Sequence, residues 1–181
     1  MTSVEFWQQL PPFEYLVTYS FNRGPKLQQL QHAADQEKRA LRLQLLSSTG
    51  PQLQQFRAAL RRCEAFSSEL LNSPLTTDGS AFNLTATPIT TLDAAAAREI
   101  GALLSRAVLR HFDWMCSPVY RDALAFHAAD GRLRSVLNIC FQCDRMRTGT
   151  GHEVQADAAV YQELKTLLQR LGHPIADGLE V

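Results

Sequence analysis

The spacing of apolar residues changes several times along the chain, and each change marks an element. Tyr15, Leu16, Val17, Tyr19 and Phe21 crowd the stretch from Glu14 to Phe21 and predict a short strand. Asn22-Arg23-Gly24-Pro25 then supplies turn chemistry, with Pro25 suited to a first helical position. Leu27, Leu30, Ala34, Leu41 and Leu45 recur at helical spacing until Ser47-Ser48-Thr49-Gly50-Pro51 breaks the pattern. Leu53, Phe56, Leu60, Cys63 and Leu70 then form a second apolar stripe. Two amphipathic helices separated by so short a break predict an antiparallel helical hairpin, and its many glutamines belong to a solvated face. The polar stretch from Asn72 to Gly79, with Pro74 and Asp78-Gly79, is the best internal boundary. It divides a mainly helical part, residues 1–78, from a mixed part, residues 79–181.

Beyond the boundary the period shortens. Ala81 to Ile89 reads as extended, with Pro88 marking a strand end or an edge. Thr91 or Asp93 can cap the helix that follows, whose stripe of Ile100, Leu103, Leu104, Ala107 and Val108 takes in His111. Arg121 to His127 and Arg132 to Phe141 flank Asp130-Gly131, a strong hairpin signal. A last helix starts near Asp157, runs through Val160, Leu164, Leu167 and Leu171, and stops at Gly172 and Pro174. The order strand, helix, strand, strand, helix around an antiparallel hairpin is that of an α+β fold, a small sheet packed with helices.

The hairpin gives the cysteines their meaning. Cys140-Phe141-Gln142-Cys143 leaves its second strand, and Cys116 precedes its first. With Asp130 and Gly131 as the loop, Cys140 faces Arg121 and Cys143 faces Pro118; with a loop from Ala128 to Gly131, Cys143 faces Cys116. Either register gathers three sulfurs at the open end of the hairpin. Three thiolates and a histidine make a tetrahedral set for zinc or another soft metal. The expected site is therefore Cys116, Cys140, Cys143 and His111, with His173 and His152 as alternatives to His111. Cys-x-x-Cys also serves thiol–disulfide exchange, with Cys140 attacking and Cys143 or Cys116 resolving. That activity favours a thiol at a helix N-terminus, whereas Asp144 to Gly149 reads as loop. The bland alternative is that all three are buried small residues, as Cys63 is expected to be. A thiol hydrolase, with Cys140 or Cys143 as nucleophile and His173 or His111 as base, has no support from spacing.

The segment from Met115 to Phe126, with Asp130-Gly131 and Leu137 to Cys143, resembles a family of uncharacterised bacterial proteins. In that family a Cys-x-Pro element precedes one strand and an Ile-Cys-Phe-x-Cys element ends its hairpin partner, ahead of a C-terminal helix. The resemblance spans about residues 80–175 and implies that the three cysteines form one unit; it implies no activity.

Composition narrows the picture. In 181 residues, 18 basic side chains balance 18 acidic ones, which argues against a protein devoted to nucleic acid or to an anionic membrane. No apolar run approaches the ~18 residues of a membrane span. The N-terminus lacks a basic stretch followed by an apolar one, so the expectation is a cytoplasmic chain with reduced thiols. There is no Gly-x-Gly-x-x-Gly and no phosphate loop ending in lysine; Thr148-Gly149-Thr150-Gly151-His152 reads as a plain loop. The Arg57, Arg61 and Arg62 cluster reads as a solvated face, and Phe6, Trp7 and Phe13 as core anchors or a patch for a partner. The leading expectation is a small thiol-cluster protein binding zinc or another soft metal in a structural or regulatory role, a reading that leans away from an enzyme without deciding it. A protein-interaction module of the inhibitor or immunity type and a thiol redox enzyme are the alternatives.

Overall fold

The computed structural model describes residues 1–76, 79–109 and 115–176. Among these, six antiparallel strands form one sheet: β1 (Tyr15–Ser20), β2 (Thr87–Asp93), β3 (Asp122–His127), β4 (Leu133–Cys140), β5 (Arg145–Thr148) and β6 (Glu153–Val154), in the order β2-β1-β3-β4-β5-β6. The helices are α1 (Ser3–Gln9), α2 (Gly24–Ser47), α3 (Gly50–Asn72), α4 (Arg98–Leu104) and α5 (Ala158–Arg170). The fold is α+β. No described helix is long and apolar enough to cross a membrane.

Two compact units make up the chain: Met1–Phe21 with the chain from Pro74 onward, and Asn22–Ser73. The second is the helical hairpin, in which Ala34 and Leu41 of α2 bury against Cys63 of α3. In the first, the opening 21 residues supply α1 and β1 to the sheet, although the boundary read from the sequence places them with the hairpin. β1 belongs there because it is apolar on both faces and hydrogen-bonds to β2 on one side and β3 on the other.

Alternation along the strands gives the sheet two different faces. Leu16, Leu124, Phe126, Leu137, Ile139 and Met146 point to one, where they meet Phe6 of α1, Ile100 and Leu104 of α4, and Val160, Tyr161 and Leu164 of α5. Phe21, Ala123, Ala125, Val136 and Cys140 point to the other, beneath Leu75 with Phe82 and Ala86 at its edge. Leu75, Phe82 and Ala86, which pack on this second face, lie outside helices and strands. Asn138, fully buried on that face, holds the cover in place: its Oδ1 accepts the Leu75 amide at 2.8 Å and its Nδ2 donates to the Arg147 carbonyl at 3.2 Å.

Several expected boundaries move. The extended segment expected at Ala81 to Ile89 becomes β2 at Thr87–Asp93, an edge strand that tolerates Pro88 because an edge needs no second set of donors. Asp93 accepts the Ala96 amide at 2.7 Å just ahead of α4, while Thr91 lies inside β2. α4 stops at Leu104, so Ala107 and Val108 are not helical, and His111 lies outside the described residues. Asp157 occupies the N-cap of α5, but its carboxylate accepts the Leu109 amide at 3.0 Å instead of capping its own helix.

Candidate thiol site

The hairpin register determines where the sulfurs lie. Leu124 pairs with Leu137 and Ala125 with Val136, as the two-residue loop requires, until a bulge between Phe126 and His127 shifts the last pair to His127 and Leu133. In that register Cys143 would lie opposite Pro118 if β4 ran straight on. It does not. β4 ends at Cys140, Phe141 to Asp144 form a turn, and β5 begins at Arg145 opposite Cys140. Asp144 closes the turn with a φ of 48°, a left-handed conformation that Asp tolerates better than most residues. The turn swings Cys143 back to Cys116, and the two form a disulfide with Cα atoms 6.0 Å apart. That separation lies within the range a bridge accepts.

Cys140 is 2% exposed and keeps its thiol. Burial pushes that thiol up, and this outweighs the downward pull of neighbouring backbone amides and of the Arg121 cation. Cys143 is buried as well, whereas Cys116 is exposed, on the irregular stretch between α4 and β3. The bridge thus has one sulfur toward solvent and one toward the core.

Of the expected set, the structure joins Cys116 to Cys143 and leaves Cys140, at the end of β4, as a buried free thiol. The alternative histidines stand elsewhere. His173 lies on the helix-covered side of the sheet, its Nδ1 2.7 Å from Asp122 Oδ1, and both side chains are buried. His152 is exposed and bonded to Thr150 at 3.0 Å. A hydrolase pairing of His173 with Cys140 is therefore not formed, because the sheet separates them. Among the described residues no group of three His, Cys, Asp or Glu side chains could hold a metal ion. The expectation of fully reduced thiols is not met, since a sulfur bonded to sulfur is no thiolate ligand. Cys63 is a buried free thiol of the hairpin core, donating to the Ala34 carbonyl at 3.4 Å.

The two-residue hairpin register picks out Arg121 opposite Cys140 but none of the other groups around it. The Val119 and Gln142 amides carry no side-chain signature. Arg121 reads as the start of a strand, and Asn138 as one polar residue in an apolar run. The stretch Arg145-Met146-Arg147-Thr148, read as loop, is a strand whose arginines hide the alternation of Met146 and Thr148 into the core. No protein-family model matches the chain, and neither does any curated protein or solved structure.

Proposed function

We propose that the protein is a thiol–disulfide switch whose responsive bond is Cys116–Cys143. The observation that carries this reading is the asymmetry of the bridge, with an exposed Cys116 and a buried Cys143. An external thiolate reaches the Cys116 sulfur, forms a mixed disulfide there, and expels Cys143 with the bonding electron pair. A second thiol of the same reductant then releases Cys116. The reductant becomes a disulfide, two electrons pass to the protein, and Cys143 and Cys116 each end as thiols. Opening the bond unties the irregular stretch bearing Cys116 from the β4–β5 turn. Cys140 is not the attacking group, because its thiol is buried and shifted away from the thiolate form.

The test is a redox titration. The protein is equilibrated across glutathione mixtures, trapped with an alkylating reagent and mapped by mass spectrometry. The expected result is two free thiols, Cys63 and Cys140, at the oxidising end and four at the reducing end, with a midpoint inside the glutathione range. A bridge that survives the most reducing mixture would be a permanent staple, and one that never forms would leave no switch.

A second reading has its own support. Cys140 is a free thiol buried in the same cluster as Cys143, so the bridge and the third sulfur share one surrounding. In the reduced protein Cys116, Cys140 and Cys143 would then offer three sulfurs to zinc, with His111 as the fourth ligand. One equivalent of zinc retained by reduced protein, and released when Cys116 is replaced by Ser, supports it; zinc retained by the Cys116→Ser protein removes it.

A further inference from the structure

Away from the thiols, a cleft of about 640 Å³ opens between the β3–β4 turn, the outer end of β4 and the β5–β6 turn. Its volume lies in the range of about 300–1,000 Å³ typical of small-molecule sites. The lining is uneven in chemistry. Phe82 and Val136 give it an apolar floor, continuous with the second core. Arg132 and Arg134 bring two guanidiniums to the rim, and no carboxylate lies among the described lining residues. Asp130, just outside, pairs with Arg132 at 2.6 Å and also feels Arg134, so among the described residues the rim carries two cations against one anion.

His127 stands in the wall of the cleft. His127 is 7% exposed and stacked on Tyr15, with ring centroids 5.0 Å apart. Its Nδ1 lies 3.1 Å from the Gly131 carbonyl, an acceptor only, so Nδ1 carries the hydrogen and Nε2 presents a lone pair. That Nε2 is buried and has no hydrogen-bond partner.

We propose that this cleft binds a small organic oxyanion, a phosphate monoester or a carboxylate on an apolar body. The body would rest on Phe82 and Val136, and the anion would be held at the rim by Arg134 with Arg132. Guanidinium groups suit this role because their planar forks match oxyanions with paired hydrogen bonds.

The test is calorimetric titration of the full chain with phenyl phosphate, benzoate, inorganic phosphate and phenol. At least one of the two aromatic anions should bind about tenfold or more tightly than phenol and inorganic phosphate. Which of the two binds better separates phosphate from carboxylate. Arg134→Gln, at an exposed position, should weaken the anion by about tenfold and leave phenol unchanged. Cys116→Ser should leave binding intact, so failure of the thiol reading and failure of this one are separable. Phenol binding as well as either anion, no anion binding at millimolar concentration, or an Arg134→Gln protein that binds as before would each overturn the proposal.

Discussion

Asp144 condenses the physics of the thiol turn into one residue. Its backbone is left-handed, its side chain is partly buried, and burial pushes its carboxyl above the usual range. A carboxyl raised on folding binds its proton more tightly in the folded chain. Its contribution to stability is therefore complete below the ordinary carboxylate pKa and is lost as pH rises through the raised value. Asp144→Asn keeps a residue that tolerates the left-handed turn and removes the charge. It should stabilise the protein at neutral pH, and the difference should vanish in acid; urea unfolding at the two pH values checks both. A gain that persisted in acid would place the effect in the backbone instead. Single residues were unevenly legible in the sequence. Cys140 and Cys143 announce themselves by spacing, yet their division into buried thiol and bridge partner depends on which way a four-residue turn carries the second one. Asp122 and His173, 51 positions apart, form a buried pair that no local pattern could show.

Among the elements, α1 and α4 show how a short helix is held. α1 has a capping box: the Thr2 hydroxyl accepts the Glu5 amide at 3.2 Å, and the Glu5 carboxylate accepts the Thr2 amide at 2.7 Å. Seven residues make too few turns to persist alone, so packing must supply the rest. Trp7 lies over Gly101 of α4 so closely that a Cβ there would run into the indole. Phe126 of β3 and Phe13 complete the aromatic contact, with centroids 6.0 and 6.1 Å from Trp7. Gly101→Ala should therefore cost about 1–3 kcal/mol by overpacking, measured by denaturant unfolding, although alanine is the better helix former. Unchanged or greater stability would mean that the indole moves aside freely. The Thr2-x-x-Glu5 box was the available sequence signal for α1, masked by the two prolines that follow. β5 gave weaker warning, because a strand of four residues with two arginines looks like loop until it has a partner to pair with.

For the whole chain, the division into two units predicts two levels of protection. The hairpin buries a cluster built from Ala34, Leu41 and Cys63, whereas the sheet unit buries a helix-covered core from Phe6 to Leu168 and a second cluster on its other face. Backbone amides in α2 and α3 should exchange with solvent well before those of β3 and β4 under native conditions, as hydrogen-exchange mass spectrometry would read. Equal protection would indicate a single cooperative unit. Charge is divided along the same line: residues 22–73 carry eight of the 18 basic and four of the 18 acidic side chains. The exclusion of anionic partners drawn from total charge thus applies to the chain as a whole and not to the hairpin.

What the sequence determined by itself is whatever depends on near neighbours. Helical spacing specified the hairpin and α5, because a stripe that recurs every three or four residues leaves only one conformation that buries it. Alternation around Asp130-Gly131 specified β3 and β4 and their two-residue register. Tertiary structure decided what depends on distant or turning chain. It placed β1 between β2 and β3, put His173 and Cys140 on opposite faces of the sheet, and joined Cys116 to Cys143 across 27 residues. The physical reason is that side-chain period records which face a residue takes, while the partner on that face is settled by burial and pairing across the whole sheet.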